Sequence, residues 1–296
     1  MPTLTNILER ILTGDETKLT QEILNTNTPE LFRQAGSTEI VNHTIQVYDK
    51  TADYYNCNPH TQQIIPELIS FMGLIESNSL VLDLGCGHGR DTQYLSSRQK
   101  REDVTPNGLN IPDREFQVVA YDGSKKLLKK TLEKVDADLK NIRAVIQGDF
   151  TRPYADEKVI HYLKTKNDFN DLSLARFGLG QSVRELFDGI WACTSLLVHT
   201  PLERIDSAVA YWGKTLRIGG IFAVSYFTEQ GQPKQENLRL SKANEIKPFI
   251  RPSQEQVLSA FKQAGMSKLT ETKADLVDGE IKIPAFYISE MYVKEK

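Results

Sequence analysis

Three glycines at alternate positions mark the segment of this chain that is best suited to bind a ligand. Residues 81–91 read VLDLGCGHGRD, so a short apolar strand containing Asp83 leads directly into Gly85, Gly87 and Gly89. Glycine has no Cβ, and it therefore lets a ligand lie close against the main chain. A strand followed by such a loop and a helical segment predicts a nucleotide-sized pocket at the carboxyl edge of a sheet.

The spacing of these glycines bears on which ligand they bind. A dinucleotide fingerprint has the pattern G-x-G-x-x-G, and its third glycine, counted from Gly85, would fall on Arg90. The pattern present is D-x-G-x-G-x-G, with the acid two residues before the first glycine. A nicotinamide-dependent oxidoreductase is therefore disfavoured, although the same sheet would accommodate one.

Two later predicted strands also end in acidic residues. Residues 116–122 (FQVVAYD) end in Asp122, and residues 142–150 (IRAVIQGDF) contain Asp149. The carboxyl ends of parallel strands meet at one edge of a sheet, where ligands bind. Asp83, Asp122 and Asp149 are therefore predicted to lie along one nucleoside site.

Strands and helices alternate along the chain, which predicts an α/β fold with a doubly wound, mostly parallel sheet. A fourth strand spans 187–193, and a fifth follows a glycine turn at 217–220. Two apolar runs around the turn at 278–279 predict a final hairpin that supplies an antiparallel strand.

The chain is predicted to have two parts. Residues 1–45 form an N-terminal helical extension, because their apolar residues recur at helical spacing. Residues 46–296 form the main domain, with an insertion at about 151–186 that exceeds the roughly twelve to twenty residues an α/β connection needs. Long insertions at this edge of a sheet tend to carry specificity or to act as lids.

Composition narrows the function classes. The 296 residues are 40% hydrophobic and 25% charged, as in a globular protein, and a formal net charge of −3 gives no basic footprint for a nucleic-acid partner. The three cysteines lack C-x-x-C spacing, so neither a metal site nor a disulfide framework is expected. Without a signal-peptide pattern or an apolar run of ~20 residues, a cytoplasmic protein without a membrane partner is expected.

The glycine pattern and the ordered strand-end acids resemble the motifs of class I S-adenosylmethionine-dependent methyltransferases. The resemblance covers about residues 48–294 and includes YDKTADYY at 48–55, which is similar to the Y-D-x-x-A-x-x-Y entry segment of small-molecule members. Residues 191–197 and the glycine turn look like the small-molecule branch, including its tellurite-resistance type. The resemblance implies a Rossmann-like, seven-stranded sheet with an antiparallel C-terminal strand.

The same resemblance implies a cofactor and the residues that hold it. The cofactor would be S-adenosylmethionine, and the product S-adenosylhomocysteine. The glycine loop would hold the methionine moiety, Asp122 both ribose hydroxyls and Asp149 the exocyclic amine of adenine. The candidate cofactor-binding residues are Tyr55, Asp83, Gly85, Cys86, Gly87, Gly89, Asp122, Gly123, Gly148, Asp149, Phe150 and Thr194.

Methyl transfer from a sulfonium is an in-line displacement, so the protein mainly aligns the acceptor in a dry site. A base is needed only where the acceptor holds its proton firmly. His199 is the candidate catalytic residue, because histidine titrates near neutral pH, although capping or packing would equally explain it. Tyr48, Tyr55 and Trp191 are candidates for cation–π contacts, but the strand position of Trp191 favours core packing.

The acceptor class is inferred mainly from missing motifs. Enzymes that methylate adenine or glutamine nitrogens carry an N-P-P-Y-like tetrapeptide where residues 193–196 read CTSL, and Cys193 lacks the neighbouring proline of cytosine C5 enzymes. An O or N atom of a small molecule is therefore the favoured acceptor. A methyltransferase acting on nucleic acid or protein, and a non-catalytic cofactor-binding partner protein, remain alternatives, and a homodimer remains open.

Overall fold

The computed structural model describes residues 37–57, 66–97, 114–135, 141–151, 185–228, 234–240, 245–278 and 281–295. The predicted helices of residues 1–36 and almost all of the predicted insertion at 151–186 lie outside the described residues. The predicted domain boundary between residues 45 and 46 falls inside one continuous helix.

The described elements follow one another in a regular α/β order. They are α1 (Ser37–Cys57), α2 (Pro66–Leu74), β1 (Leu80–Leu84), α3 (Arg90–Ser96), β2 (Gln117–Asp122), α4 (Lys125–Val135), β3 (Ile142–Gln147), β4 (Phe187–Cys193), α5 (Leu196–His199), a 3-10 turn (Leu202–Arg204), α6 (Ile205–Thr215), β5 (Leu216–Thr228), β6 (Lys234–Leu240), β7 (Glu245–Arg251), α7 (Gln254–Gln263), β8 (Met266–Asp278) and β9 (Ile281–Lys294).

Seven of these strands form one sheet in the order β3-β2-β1-β4-β5-β9-β8. Strands β1 to β5 pair in parallel, whereas β9 runs antiparallel to both β5 and β8. The predicted fold class and its antiparallel C-terminal strand are confirmed. The strand order reverses between β1 and β4, and the loops that follow these two strands diverge there to leave a crevice.

Both faces of the sheet are covered by apolar side chains, which explains why β1 is apolar at four of five positions and buried throughout. On one face the ring of Trp191 packs 5.2 Å from that of Phe71, and on the other Trp212 packs 5.5 Å from Tyr121. The expected core position of Trp191 is confirmed, since its side chain is buried within the first of these clusters.

Two features after β4 differ from the sequence prediction. The glycine turn predicted at 217–220 lies inside β5, where an irregular register places Leu216 opposite Phe187 and Ile221 opposite Gly189. The extra residues of β5 form a bulge. Glycines are common in bulges and in turns, so the glycines at 217–220 did not distinguish the two. The separate antiparallel hairpin of β6 and β7 was not predicted from the sequence.

Within the described residues, no helix combines the length and the apolar character that a membrane crossing requires.

We expect the Ser253→Ala substitution to lower the free energy of unfolding by about 1 kcal/mol. Ser253 is the N-cap of α7, and its side chain accepts a 3.1 Å hydrogen bond from the backbone N–H of Gln256. Urea unfolding measures the change. The exposed Ser259→Ala substitution within α7 is the control and should change stability by less than about 0.5 kcal/mol. Equal effects of the two substitutions would contradict the capping role.

Candidate functional site

The glycine loop after β1 folds back on the end of β2. The backbone N–H groups of Gly85 and Cys86 donate to the carbonyl oxygen of Tyr121 at 2.7 and 3.0 Å. Gly85 has a φ of +81°, and a Cβ at this position would overlap the side chain of Ser195. Conformation and space therefore both require glycine here.

Gly89 has a different role from the one that the sequence predicted. It immediately precedes α3 with a φ of +85°, and a Cβ there would lie 2.8 Å from the Cα of Thr131 in α4. The missing side chain thus lets α3 and α4 approach each other. Gly89 does not line the cavity described next, whereas Gly85 and Gly87 do.

The loops at the carboxyl ends of β1 to β4 surround an open cavity of about 190 Å³. Ten of the thirteen candidate site residues line it, namely Gly85, Cys86, Gly87, Asp122, Gly123, Gly148, Asp149, Phe150, Thr194 and His199. Of the other three, Asp83 and Gly89 lie elsewhere, and the side chain of Tyr55 is outside the described residues.

Asp122, at the end of β2, connects the glycine loop to the start of α4. Its Oδ2 accepts a hydrogen bond from the backbone N–H of Gly87 at 2.9 Å, and its Oδ1 accepts from that of Ser124 at 2.8 Å. Burial raises the pKa of Asp122 to about 6. The carboxyl group is therefore mostly ionised at neutral pH and above, where it can accept further hydrogen bonds.

Asp149 and Phe150 lie in the loop after β3, two and three residues past the strand end, and both line the cavity. Asp149 Oδ1 accepts from the backbone N–H and the hydroxyl of Thr151 at 2.9 and 2.7 Å. The carbonyl oxygen of Phe150 accepts from the indole N–H of Trp212 at 2.8 Å. These bonds fix the loop so that the carboxylate and the aromatic ring both border the cavity.

Asp83 does not reach the cavity, although it was predicted to hold part of the ligand. Its side chain is buried, and Oδ2 accepts a 2.6 Å hydrogen bond from the hydroxyl of Thr92 in α3. Burial, with a further contribution from the nearby charge of Asp91, raises the pKa of Asp83 to about 8. In this structure, Asp83 secures the first turn of α3 beneath the glycine loop.

Arg90 and Asp91 line the cavity, but neither was predicted as a site residue. Arg90 donates to both carboxylate oxygens of Asp91, from Nε at 2.6 Å and from Nη2 at 2.8 Å, and the indole of Trp191 also donates to Asp91 at 2.9 Å. A signal was present in the sequence, since Arg90 occupies the position of the third fingerprint glycine. Arg90 at this position argues against a dinucleotide. A guanidinium beside a glycine loop is also suited to bind a carboxylate.

The loop after β4 forms another wall of the cavity. Thr194 has a φ of +44°, and its backbone N–H donates to the hydroxyl of Ser225 at 2.8 Å. Ser195 donates from its hydroxyl to the carbonyl oxygen of Leu84 at 2.5 Å, which joins this loop to β1. Burial raises the pKa of Cys193 to about 11, so its thiol is protonated at neutral pH and is a poor nucleophile.

Helix α1 covers the cavity with one face. Val41, Thr44, Ile45 and Tyr48 all line it and recur at the spacing of a single helical face. The hydroxyl of Tyr48 lies 3.0 Å from Nε2 of His199, and the two rings meet edge to face with centroids 5.3 Å apart. The predicted entry segment therefore brings one of its tyrosines to the candidate catalytic histidine.

Asp49, the next residue of α1, anchors this helix to the start of α4. Its Oδ1 accepts from the hydroxyl of Ser124 at 2.6 Å and from the backbone N–H of Lys126 at 3.0 Å. The hydroxyl of Ser124 in turn accepts from the backbone N–H of Leu127 at 3.1 Å, so Ser124 caps α4. The two hydrogen bonds that Asp49 accepts thus hold α1 over the cavity.

No family model and no curated protein sequence matches this chain. Solved structures with a similar fold include 1,6-didemethyltoxoflavin-N1-methyltransferase from Burkholderia thailandensis, with bound 1,6-didemethyltoxoflavin and S-adenosylhomocysteine; its TM-score is 0.57 at 12% identity, over 88% of this chain and 92% of that one. The [4+2]-cyclase SpnF has a TM-score of 0.57 at 13% identity, over 86% of this chain and 97% of that one. TehB from Haemophilus influenzae has a TM-score of 0.51 at 16% identity, over 83% of this chain and 67% of that one.

These similarities establish the fold that the chain shares with Rossmann-like methyltransferases. Because one neighbour is described as a cyclase, the fold by itself does not specify the reaction.

We expect the free energy of unfolding to fall as the pH rises from about 6.5 to 7.5, because of Asp83. Its pKa is about 8 in the folded chain against an ordinary 3.8, so in this range the folded state retains a proton that the unfolded state has lost. The contribution of Asp83 to the free energy of unfolding is fully present below pH ~4 and is lost by pH ~8. Between these values it falls by no more than about 1.4 kcal/mol per pH unit.

Urea unfolding of wild type and Asp83→Asn across this range measures the effect. The amide can still accept the hydrogen bond of Thr92, so the variant should lose this part of the pH dependence. The exposed Asp53→Asn variant should follow the wild type. Parallel curves for Asp83→Asn and wild type would contradict the raised pKa of Asp83.

Proposed function

We propose that this chain is an S-adenosylmethionine-dependent methyltransferase that transfers a methyl group to an O or N atom of a small molecule. The observation that carries the proposal is the convergence of the glycine loop, Asp122 and Asp149 on one cavity where the strand order reverses. When bound, S-adenosylmethionine supplies an electrophilic methyl group on a positively charged sulfur.

The residues present fit the three parts of this cofactor. The exposed backbone of Gly85 and Gly87 accommodates the methionine part, and Arg90 supplies a guanidinium for its carboxylate. Asp122 accepts from the ribose hydroxyls. Asp149 accepts from the adenine amine, beside the aromatic face of Phe150. All of these groups line the same cavity. In this proposal Cys86, Gly123, Gly148 and Thr194 contribute its remaining walls, and Tyr55 stays a candidate contact.

The protein contributes mainly alignment and exclusion of water, because a thioether leaves without protonation. Helix α1 provides both, since Val41 and Ile45 give the cavity an apolar cover and Tyr48 adds a polar group beside His199. A cavity that a helix covers on one side suits a small acceptor better than an uncovered groove would. The protonated Cys193 thiol argues further against covalent attack on a cytosine ring.

Calorimetry with S-adenosylmethionine and S-adenosylhomocysteine tests the proposal. We expect micromolar-scale binding to the wild type at about pH 8, where Asp122 is ionised. The Asp122→Asn variant should bind more weakly by about 1–3 kcal/mol, because it loses charge-assisted hydrogen bonds to the ribose.

The control for this experiment is Asp206→Asn, a change to an exposed carboxylate in the first turn of α6. It should leave the affinity unchanged. Equal affinity of Asp122→Asn and wild type would refute the ribose contact. Absence of binding by the wild type would refute the proposed function, and binding of NAD instead would revive the oxidoreductase alternative.

A further inference from the structure

We propose that Tyr48 and His199 form a proton relay that deprotonates a phenol-type hydroxyl of the acceptor. This inference rests on the proposed function and specifies its acceptor class. Its basis is the 3.0 Å separation of Tyr48 Oη and His199 Nε2, two atoms from residues 151 positions apart that both line the cavity.

The chemistry of the two side chains gives the relay a direction. A neutral imidazole has one N–H donor and one nitrogen acceptor, and a tyrosine hydroxyl both donates and accepts. If Nδ1 of His199 carries the proton, Nε2 accepts the hydrogen bond of Tyr48. The phenolic oxygen of Tyr48 then has lone-pair capacity to accept from an acceptor hydroxyl. Tyr48 contacts the acceptor, and the buried His199 receives the proton behind it.

Both members of the relay are held by elements that are fixed independently. His199 ends α5, where its backbone N–H donates to the carbonyl oxygen of Ser195 at 3.1 Å, and Ser195 is bound to β1 through Leu84. Tyr48 is held by α1, which Asp49 anchors to α4. Such preorganisation is what proton transfer in a transition state requires.

The step balances in atoms and charge. The acceptor oxygen forms a bond to the methyl carbon as the carbon–sulfur bond breaks, with the electron pair remaining on sulfur. The acceptor proton moves to Tyr48 Oη, and the proton of Tyr48 moves to Nε2 of His199. One positive charge is lost from sulfur, and one appears on the imidazolium.

The surroundings favour a neutral phenol-type acceptor. A phenol has a pKa of ~10, close enough to that of histidine for assisted ionisation, and it holds its proton at neutral pH. A carboxylate acceptor needs no base and would require a cation, and the guanidinium of Arg90, which lines the cavity, is assigned in this proposal to the methionine carboxylate. Val41 and Ile45 provide an apolar surface beside Tyr48 that suits an aromatic ring.

Two-bond proton–nitrogen NMR of ¹⁵N-histidine-labelled protein tests the direction of the relay. At neutral pH we expect His199, assigned with His199→Gln, to be the Nδ1–H tautomer in the wild type. Tyr48→Phe removes the donor and keeps the ring, so His199 should shift toward the Nε2–H tautomer. Tyr94→Phe, in α3, is the control and should resemble the wild type. An Nε2–H tautomer in the wild type would overturn the proposal, because His199 would then donate to Tyr48.

Ionisation of 4-nitrophenol, a phenol that titrates near neutrality, tests proton acceptance directly. Added at about pH 7, where an ordinary imidazole is mostly neutral, to protein saturated with S-adenosylhomocysteine, it should show more of the yellow phenolate than in buffer, because the relay takes up its proton. The excess should be lost in Tyr48→Phe and His199→Gln and retained in Tyr94→Phe. No excess phenolate with the wild type, or an equal excess in all variants, would overturn the relay.

Binding of S-adenosylhomocysteine separates failure of this inference from failure of the proposed function. Tyr48→Phe and His199→Gln should bind it within about threefold of the wild type, because both residues act on the acceptor. Normal binding with the wrong tautomer removes the relay and leaves the proposed function intact. If the wild type does not bind it, the proposed function fails, and with it the phenol assignment.

Discussion

The close contact between Gly85 and Ser195 is the constraint on which the other walls of the cavity depend. β1 and β4 are neighbours in the sheet, and the backbone of Gly85 after β1 fits against the Ser195 side chain after β4 only because Gly85 lacks a Cβ. The hydroxyl of Ser195 reaches the carbonyl oxygen at the end of β1. This contact sets the start of α5, which carries His199, and it sets the glycine loop at the same time.

The acidic residues near this contact have different roles because their environments differ. Asp83 is buried under α3 and satisfied by Thr92, so it stabilises the scaffold and is costly to ionise. Asp122 is bonded by two backbone N–H groups and still borders the cavity. Asp91 is paired with Arg90 and Trp191. Carboxylates of one chemical type therefore serve as structural support, as part of the cavity wall and as counter-ion.

Helix α1 depends on the same framework, although it precedes the sheet in the chain. It has no strand pairing to position it, and its anchor is the start of α4, where Ser124 and Lys126 donate to Asp49. That start is itself fixed by Asp122 through the backbone of Ser124. The helix that covers the cavity and the carboxylate that borders it are thus connected through one short turn.

Much of the architecture was predictable because its signals are local. Strand β4 has the predicted bounds of 187–193, since an apolar run depends on neighbouring residues alone. The bulge at 217–220 and the hairpin of β6 and β7 were not predictable in this way. A bulge is defined by the register with a partner strand, and that register does not appear in the sequence of one strand.

The sequence by itself determined the fold class, the glycine loop and the placing of acids at strand ends, because each follows from residue type and short-range spacing. Only the tertiary structure decided which acids face the cavity, since Asp83 is turned beneath α3 whereas Asp91 reaches the ligand side. It also brought Tyr48 to His199 across 151 residues of chain. The physical reason is that packing of the helices on the sheet sets the distance between such residues, and their separation in sequence carries no information about it.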